Sequence, residues 1–179
     1  MTQPNLPPTL IGNTLTLRPL LASDFEGLYE AASDPTTWEL HPDSTRYQRD
    51  NFQRRFFDSA IASGGAFAVV DNASQGIIGS SRFYEWDNER AEISIGYTFL
   101  SCDFWGSGAN QEMKQLMLNY IFAQVQAVWF HVGEINLRSR RAVEKLGEVL
   151  KHKKEREFEG KPFTQLYYRL AKSDFLLRS

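Results

Sequence analysis

Cysteine is almost missing from this chain: Cys102 is the only one in 179 residues. No disulfide can therefore form within the chain. With only three histidines, and none spaced with Cys102 as a ligand set, no structural metal is expected either. An excess of one charge is missing too. Twenty Lys and Arg stand against 22 Asp and Glu, a net charge of −2. A broad nucleic-acid or anionic-membrane surface would need a basic face, so neither partner is expected, although local basic pockets stay open. No run of eighteen apolar residues occurs, and residues 1–8 carry neither a basic region nor an apolar stretch. The expectation is a soluble, cytoplasmic protein.

What is present suits one compact core. Hydrophobic residues at 42% and charged residues at 23% are globular proportions, and the length is short for two domains, so a single domain over residues 1–179 is expected. Thr14 to Arg18 alternates as a short edge strand ending at Pro19. Ser23-Asp-Phe-Glu26 has the form of a capping box and opens a helix to Ala32, before Asp34-Pro35. Trp38 to Tyr47 reads as an ordered loop. A second helix over 46–63 places Phe52, Phe56, Phe57, Ala60 and Ile61 along one face and ends at Gly64-Gly65.

From Ala66 the period changes to that of strands: Phe67 to Val70, Ile77 to Trp86 and Ala91 to Leu100, with short polar connections that imply an antiparallel meander. A helix over 112–124 repeats Met113, Leu116, Met117, Tyr120 and Ile121 on one buried face. Ala127 to Val132 is nearly all apolar, as in a central strand covered on both faces and parallel to a neighbour. Asn136 can cap a helix through Leu146 with Gly147 as its left-handed stop, and two strands over 148–158 and 163–170 close the chain.

Between the third strand of the meander and the 112–124 helix lies Trp105-Gly106-Ser107-Gly108-Ala109-Asn110-Gln111. A Gly-x-Gly turn feeding a helix start aims free backbone N–H groups at one place, with the positive end of the helix dipole behind them, and such a place binds phosphate. Gly96 interrupts the preceding strand, which favours a bulge or a close approach by a ligand.

With this loop after Ile95-Gly96-Tyr97, and Asn136-x-x-Ser139 followed by Glu144-Lys145-Leu146-Gly147, the chain resembles the GNAT family of acyl-CoA N-acyltransferases. Within that family it is most similar to the ribosomal-protein N-terminal acetyltransferase branch. The likeness runs from Leu15 to Tyr168. It implies an α+β fold: a mixed, mostly antiparallel, seven-stranded twisted sheet flanked by about four helices, with two strands splayed apart at the acyl-CoA site. Trp105 stands where the family motif has Gln or Arg, and Asn110 where it has a small residue. The resemblance implies acetyl-CoA as cosubstrate, its pyrophosphate on Trp105 to Gln111 and its pantetheine arm in the splay. An oxyanion would be held by a backbone N–H near Tyr97, Thr98 or Phe99.

Acyl transfer to an amine requires a proton acceptor, an oxyanion site and a proton donor for the leaving thiolate. The tyrosine that the family commonly uses as donor is absent, since Val143 occupies its place, and Glu148 stands where the family often has phenylalanine. Ser139 matches the serine proposed as donor in the N-terminal branch, and Asn136 would orient the substrate arm as well as cap. For the base, Glu92 lies on the strand where other members place a glutamate, Glu157 matches the one proposed for the ribosomal branch, and Glu85 is third. Arg138, Arg140, Arg141 and Lys145 form a basic stripe, from which Arg138 and Arg141 could reach coenzyme A phosphates. Trp38 to Pro42, Arg46 and Tyr47 would border the acceptor cleft. His131 and His152 read as strand and surface histidines. The expected reaction is acetyl transfer to a protein N-terminus or a small amine. A non-catalytic acyl-CoA-binding or assembly module is the alternative, and a homodimer stays open.

Overall fold

The computed structural model describes residues 7–147 and 149–177. The lead up to Leu6 and Glu148, both read above from the sequence, lie outside the described residues.

Eight strands form one sheet in the order β1-β2-β3-β4-β5-β6-β8-β7. They are β1 (Leu10–Ile11), β2 (Leu15–Pro19), β3 (Ala66–Asp71), β4 (Ile77–Asp87), β5 (Glu92–Leu100), β6 (Ala127–Gly133), β7 (Val149–Phe158) and β8 (Lys161–Ala171). The strand beyond the expected seven is β1, a two-residue strand paired with Thr16 and Leu17. Every pairing is antiparallel except β5 with β6, as the meander and the apolar β6 run suggested.

The helices are α1 (Phe25–Ala32), α2 (Arg49–Phe52), a π-helical turn (Gln53–Phe57), α3 (Asp58–Ser63), α4 (Ala109–Ile121), α5 (Leu137–Glu144) and α6 (Lys172–Leu176). α2, the π turn and α3 follow without a break, and Gly64 closes them with φ 62°. The expected capping box at Ser23 and Glu26 does not form. Asp24 instead accepts from the Leu21 N–H at 2.8 Å and from both terminal nitrogens of Arg18, while Glu26 pairs with Arg49. The helix start is thereby tied to β2, a longer-range anchor than local spacing can reveal.

Two apolar layers cover the two faces of the sheet. On one, α4 packs Met113, Met117, Leu118 and Ile121 against Leu15, Leu17, Phe67, Phe83, Ile93, Ile95 and Phe130. Its buried face is turned from the expected one, because Lys114 and Leu118 are buried while Leu116 and Tyr120 are only half-buried. On the other face, α1 to α3 pack Leu28, Phe52, Phe56, Phe57 and Trp38 against Phe99. Burying a large apolar side chain stabilises by roughly 1.5–3 kcal/mol, so these rings fix how α2 and α3 lie on the sheet. β7 is an edge strand whose residues 151–157 are all exposed, and its run of Lys, Glu and Arg discourages further strand pairing.

Candidate functional site

Pairing between β5 and β6 covers only Glu92 to Ser94 against Ala127 to Trp129. β5 continues to Leu100 and β6 to Gly133, so beyond Ser94 and Trp129 the parallel strands part, leaving a slot between them. The cause lies partly in β5. Its register against β4 shifts between Ser80/Phe99 and Arg82/Gly96, so that one extra residue is accommodated around Tyr97, which has φ 51°. A non-glycine residue in that region costs about 1–2 kcal/mol, and such bulges re-aim the side chains that follow. Phe99 consequently enters the α1–α3 layer while Leu100 enters the α4 layer, and Tyr97, expected inward from the alternation, is 41% exposed. Gly96 is not the bulged residue. A Cβ there would lie 2.9 Å from the Tyr84 ring, because that ring crosses over Gly96 and its hydroxyl reaches His131 Nδ1 at 3.0 Å.

At the outer end of β5 a short 3₁₀ turn (Cys102–Phe104) leads into Trp105 and the glycine loop. Gly106 and Gly108 have φ 75° and 91°, and α4 starts directly after Gly108. The first α4 bond runs from the Glu112 N–H to the Gly108 carbonyl, so the preceding amides lie outside the helix's own ladder. The Ala109 N–H is met by the Ser107 hydroxyl at 3.2 Å. Gly106, Ser107, Gly108 and Gln111 are exposed, Asn110 is half-buried and Ala109 is buried. Built Cβ atoms on Gly106 and Gly108 meet nothing within 4 Å, whereas those on Gly65 and Gly79 would strike backbone. These two glycines therefore border open space.

The structure joins Trp105 to α5. The Trp105 indole donates to the Leu100 carbonyl at 3.1 Å, and the Arg138 guanidinium lies 3.5 Å from the ring centroid while donating to Glu39 at 3.2 Å. Loop 38–42, the glycine loop and the first turn of α5 thus meet. Asn136 caps α5 by accepting from the Ser139 N–H at 3.1 Å, and Ser139 is half-buried on that first turn. Arg141 is exposed, and Arg140 is drawn to the Glu134 carbonyl and Glu144. Val143 is buried in the α4 layer. Lys114 holds the slot from the α4 side: its Nζ donates to Thr98 at 2.7 Å and lies 5.4 Å from the Phe130 ring.

The three carboxylates are placed very differently. Glu92 sits where β5 and β6 are still paired and is 9% exposed. It accepts from Trp129 Nε1 at 2.6 Å and from Arg169 Nε and a terminal nitrogen at 3.1 and 2.8 Å. Glu157 is exposed on β7, and the register puts it on the opposite face from His152, Lys154 and Arg156, which gather at Tyr167. Glu85 lies on a β4 bulge with φ 53°, accepts from the Ser94 hydroxyl at 3.3 Å, and stands 3.7 Å from His131 Nδ1. Its carboxylate is open to solvent at the apex of the slot.

Composition and pattern did not single out His131, Tyr84 or Lys114. β6 was expected to be covered on both faces, but only Ala127, Val128, Phe130 and Val132 are buried; Trp129, His131 and Gly133 are half-buried on the cleft side. A polar residue in that alternating set was the available signal. Burial pushes the His131 pKa down, with Glu85 opposing, and burial pushes the Tyr84 phenol up. A neutral imidazole and a protonated phenol follow.

The 38–48 loop is held by hydrogen bonds of its own. Trp38 is buried and donates to the Ala32 carbonyl at 2.8 Å, and His41 Nδ1 accepts from the Asp43 N–H at 2.9 Å. Burial foremost, then Arg46, pushes the His41 pKa down to about 3 from 6.5. The folded value lies below the unfolded one, so this stabilisation is complete above pH 6.5 and is lost as pH falls. Between pH 7.5 and 5 the folded state is expected to lose about 2 kcal/mol through this group. Urea midpoints of wild type and His41→Asn test it: a difference between them that does not vary with pH would overturn the assignment.

Among solved structures, the chain is similar to a GCN5-related N-acetyltransferase from Brucella melitensis, at 21% identity and TM-score 0.84 over 94% of this chain and 80% of that one. An acetyltransferase (GNAT family) from Bacillus anthracis matches at 19% identity and TM-score 0.73, covering 92% and 99%. The spermidine N-acetyltransferase from Vibrio cholerae, in complex with CoA and spermine, matches at 18% identity and TM-score 0.71, covering 91% and 98%. These likenesses carry the fold. Residues 14–149, with the splayed strands, the glycine loop and α4, match the model of the acetyltransferase (GNAT) domain, and the chain belongs to that family.

Proposed function

We propose that the protein transfers an acetyl group from acetyl-CoA to a primary amine by direct attack on the thioester. The observation that carries this reading is the parting of β5 from β6 after Ser94 and Trp129, with the Gly106–Gly108 cradle at the end of β5. The slot suits an extended pantetheine arm, and the cradle suits a pyrophosphate. Coenzyme A in the Vibrio cholerae structure supports the choice of cosubstrate, and a cytoplasmic location would supply it.

In this reading the ammonium of the acceptor loses a proton toward Glu85, beside His131, and its nitrogen attacks the thioester carbonyl. The developing oxyanion faces the unpaired side of β5 near Tyr97 to Phe99. The carbon–sulfur bond then breaks as the nitrogen gives up its second proton, which reaches the departing thiolate through water and the Ser139 hydroxyl, while Glu85 releases the first proton to solvent. Glu85 is preferred to Glu92 and Glu157 because it alone combines an open carboxylate with contact to the slot's apex. Asn136 and Arg138 order the first turn of α5 around the cosubstrate.

The deciding experiment measures thiol release from acetyl-CoA with small amines, polyamines and N-terminal peptides, the last representing the ribosomal-protein branch. Turnover with at least one amine, lowered about 100-fold or more by Glu85→Gln, is the expected result. Coenzyme A binding without turnover on any acceptor would favour the non-catalytic module, and no binding would sink both.

A further inference from the structure

Three arginines gather around Asp43 and the Phe56 ring with too little negative charge to balance them. Arg46 and Arg82 each place a guanidinium carbon 5.8 Å from the centroid of the same Phe56 ring. Arg46 bonds Asp43 through Nε at 3.2 Å, and Arg55 approaches the other oxygen of that carboxylate at 3.5 Å. Asp43 is 1% exposed, so one buried carboxylate serves two guanidiniums, with Glu159 at the tip of the β7–β8 hairpin as the second partner of Arg55.

Arg82 has no carboxylate partner among the described residues. Its terminal nitrogens reach only the Phe56 and Ser59 carbonyls and the Ser59 hydroxyl, at 3.3–3.4 Å. Its Nε is buried without a hydrogen-bond partner, and the residue is 4% exposed. Arginine does not shed its charge when buried, so this positive charge is permanent, and leaving it unbalanced is costly. The Arg82 guanidinium lies 4.0 Å from the Tyr97 ring centroid, on the bulge beside the slot. Tyr97 in turn packs on Tyr84 at 5.1 Å, and Tyr84 reaches His131. One aromatic floor therefore runs from the proposed proton acceptor to the arginines.

We infer that the acceptor is an amine that also carries a carboxylate, which Arg46, Arg55 and Arg82 select. The inference rests on the acetyl-transfer reading for the amine end alone. A guanidinium fork matches a carboxylate with two parallel hydrogen bonds, and desolvation at Arg82 strengthens the match. A polyamine, cationic along its length, is repelled by the same three groups, so the acceptor class differs from that named for the Vibrio cholerae relative.

Product binding tests this without requiring turnover. N-acetylglycine, 4-acetamidobutyrate and 6-acetamidohexanoate are titrated calorimetrically against their carboxamides, with N-acetylspermidine and the phosphate ester of N-acetylethanolamine alongside. At one or more chain lengths the carboxylate is expected to bind at least tenfold tighter than its carboxamide. Arg55→Gln, which keeps the Arg46–Asp43 pair and hence the fold, should shrink that ratio to below threefold, and Arg55→Lys should restore part of it. Equal binding of carboxylate and carboxamide at every length, or tighter binding of N-acetylspermidine or the phosphate ester, would overturn the inference. Thiol release is recorded in parallel. A carboxylate preference without acetyl transfer would reject the proposed reaction and still support the anion site, while transfer without the preference would do the reverse.

Discussion

Gly108→Val is expected to lower coenzyme A affinity by about 100-fold or more. Gly108 has φ 91° and ψ −10°, and it is the residue from which α4 starts. A β-branched side chain resists that conformation, at a cost of roughly 1–3 kcal/mol, and the backbone would relax by turning the amides of the cradle away from their common focus. Hydrogen bonds to a charged group contribute roughly 1.5–3 kcal/mol each, and 1.4 kcal/mol is tenfold in affinity, so losing two of them exceeds the stated factor. A Cβ at this position meets no protein atom within 4 Å. The loss of binding would then come from the ligand side of the loop and from backbone strain, not from a clash in the core. Calorimetric titration with coenzyme A measures the effect, and a thermal melt separates it from a stability change. Wild-type affinity in a folded Gly108→Val protein would remove the cradle from the mechanism.

Glu92→Gln should show its largest effect in stability. The carboxylate of Glu92 joins three strands, with itself on β5, Trp129 on β6 and Arg169 on β8, and every contact it receives comes from an N–H donor. Glutamine keeps the shape but turns one oxygen into an NH₂ group, so a donor must face a donor, and Arg169 loses its countercharge. Breaking a buried, charged hydrogen-bonded set of this kind costs about 2–4 kcal/mol. For a chain of this size that is roughly 4–15 °C in melting temperature. The change in kcat per folded molecule should stay within about tenfold, against about 100-fold or more for Glu85→Gln. A Glu92→Gln protein with an unchanged melting temperature and a kcat reduced 100-fold would return Glu92 to the role of base.

The contrast between these two residues shows where sequence patterns stop. Glu92 was legible as leaving the α4 face, because Ile93 and Ile95 flank it at period two, and that orientation holds. That Trp129 and Arg169 arrive at the same carboxylate depends on β6 and β8, 37 and 77 residues away in sequence. The exposure of His131 is hidden from local pattern for a related reason. Ala127 and Trp129 on its own face, with Val128, Phe130 and Val132 on the other, make β6 look covered on both faces, yet the splay leaves the His131 side open to the cleft.

Local sequence determined the features governed by neighbouring residues: the meander, the glycine loop before α4, the Asn136 cap and the left-handed stops at Gly64 and Gly147. Each follows from steric limits or hydrogen bonds that span a few residues, so spacing alone reveals it. The tertiary structure decided which side chains share the site. The Tyr97 bulge reverses the facing of β5 in mid-strand, sending Phe99 and Leu100 to opposite layers from those that alternation predicts. The Arg46, Arg55 and Arg82 cluster comes from a loop, a π-helical turn and a strand that meet only because the Phe52, Phe56 and Phe99 rings pack together. A bulge and a long-range charge cluster depend on register and packing between distant segments, which periodicity within one segment does not carry.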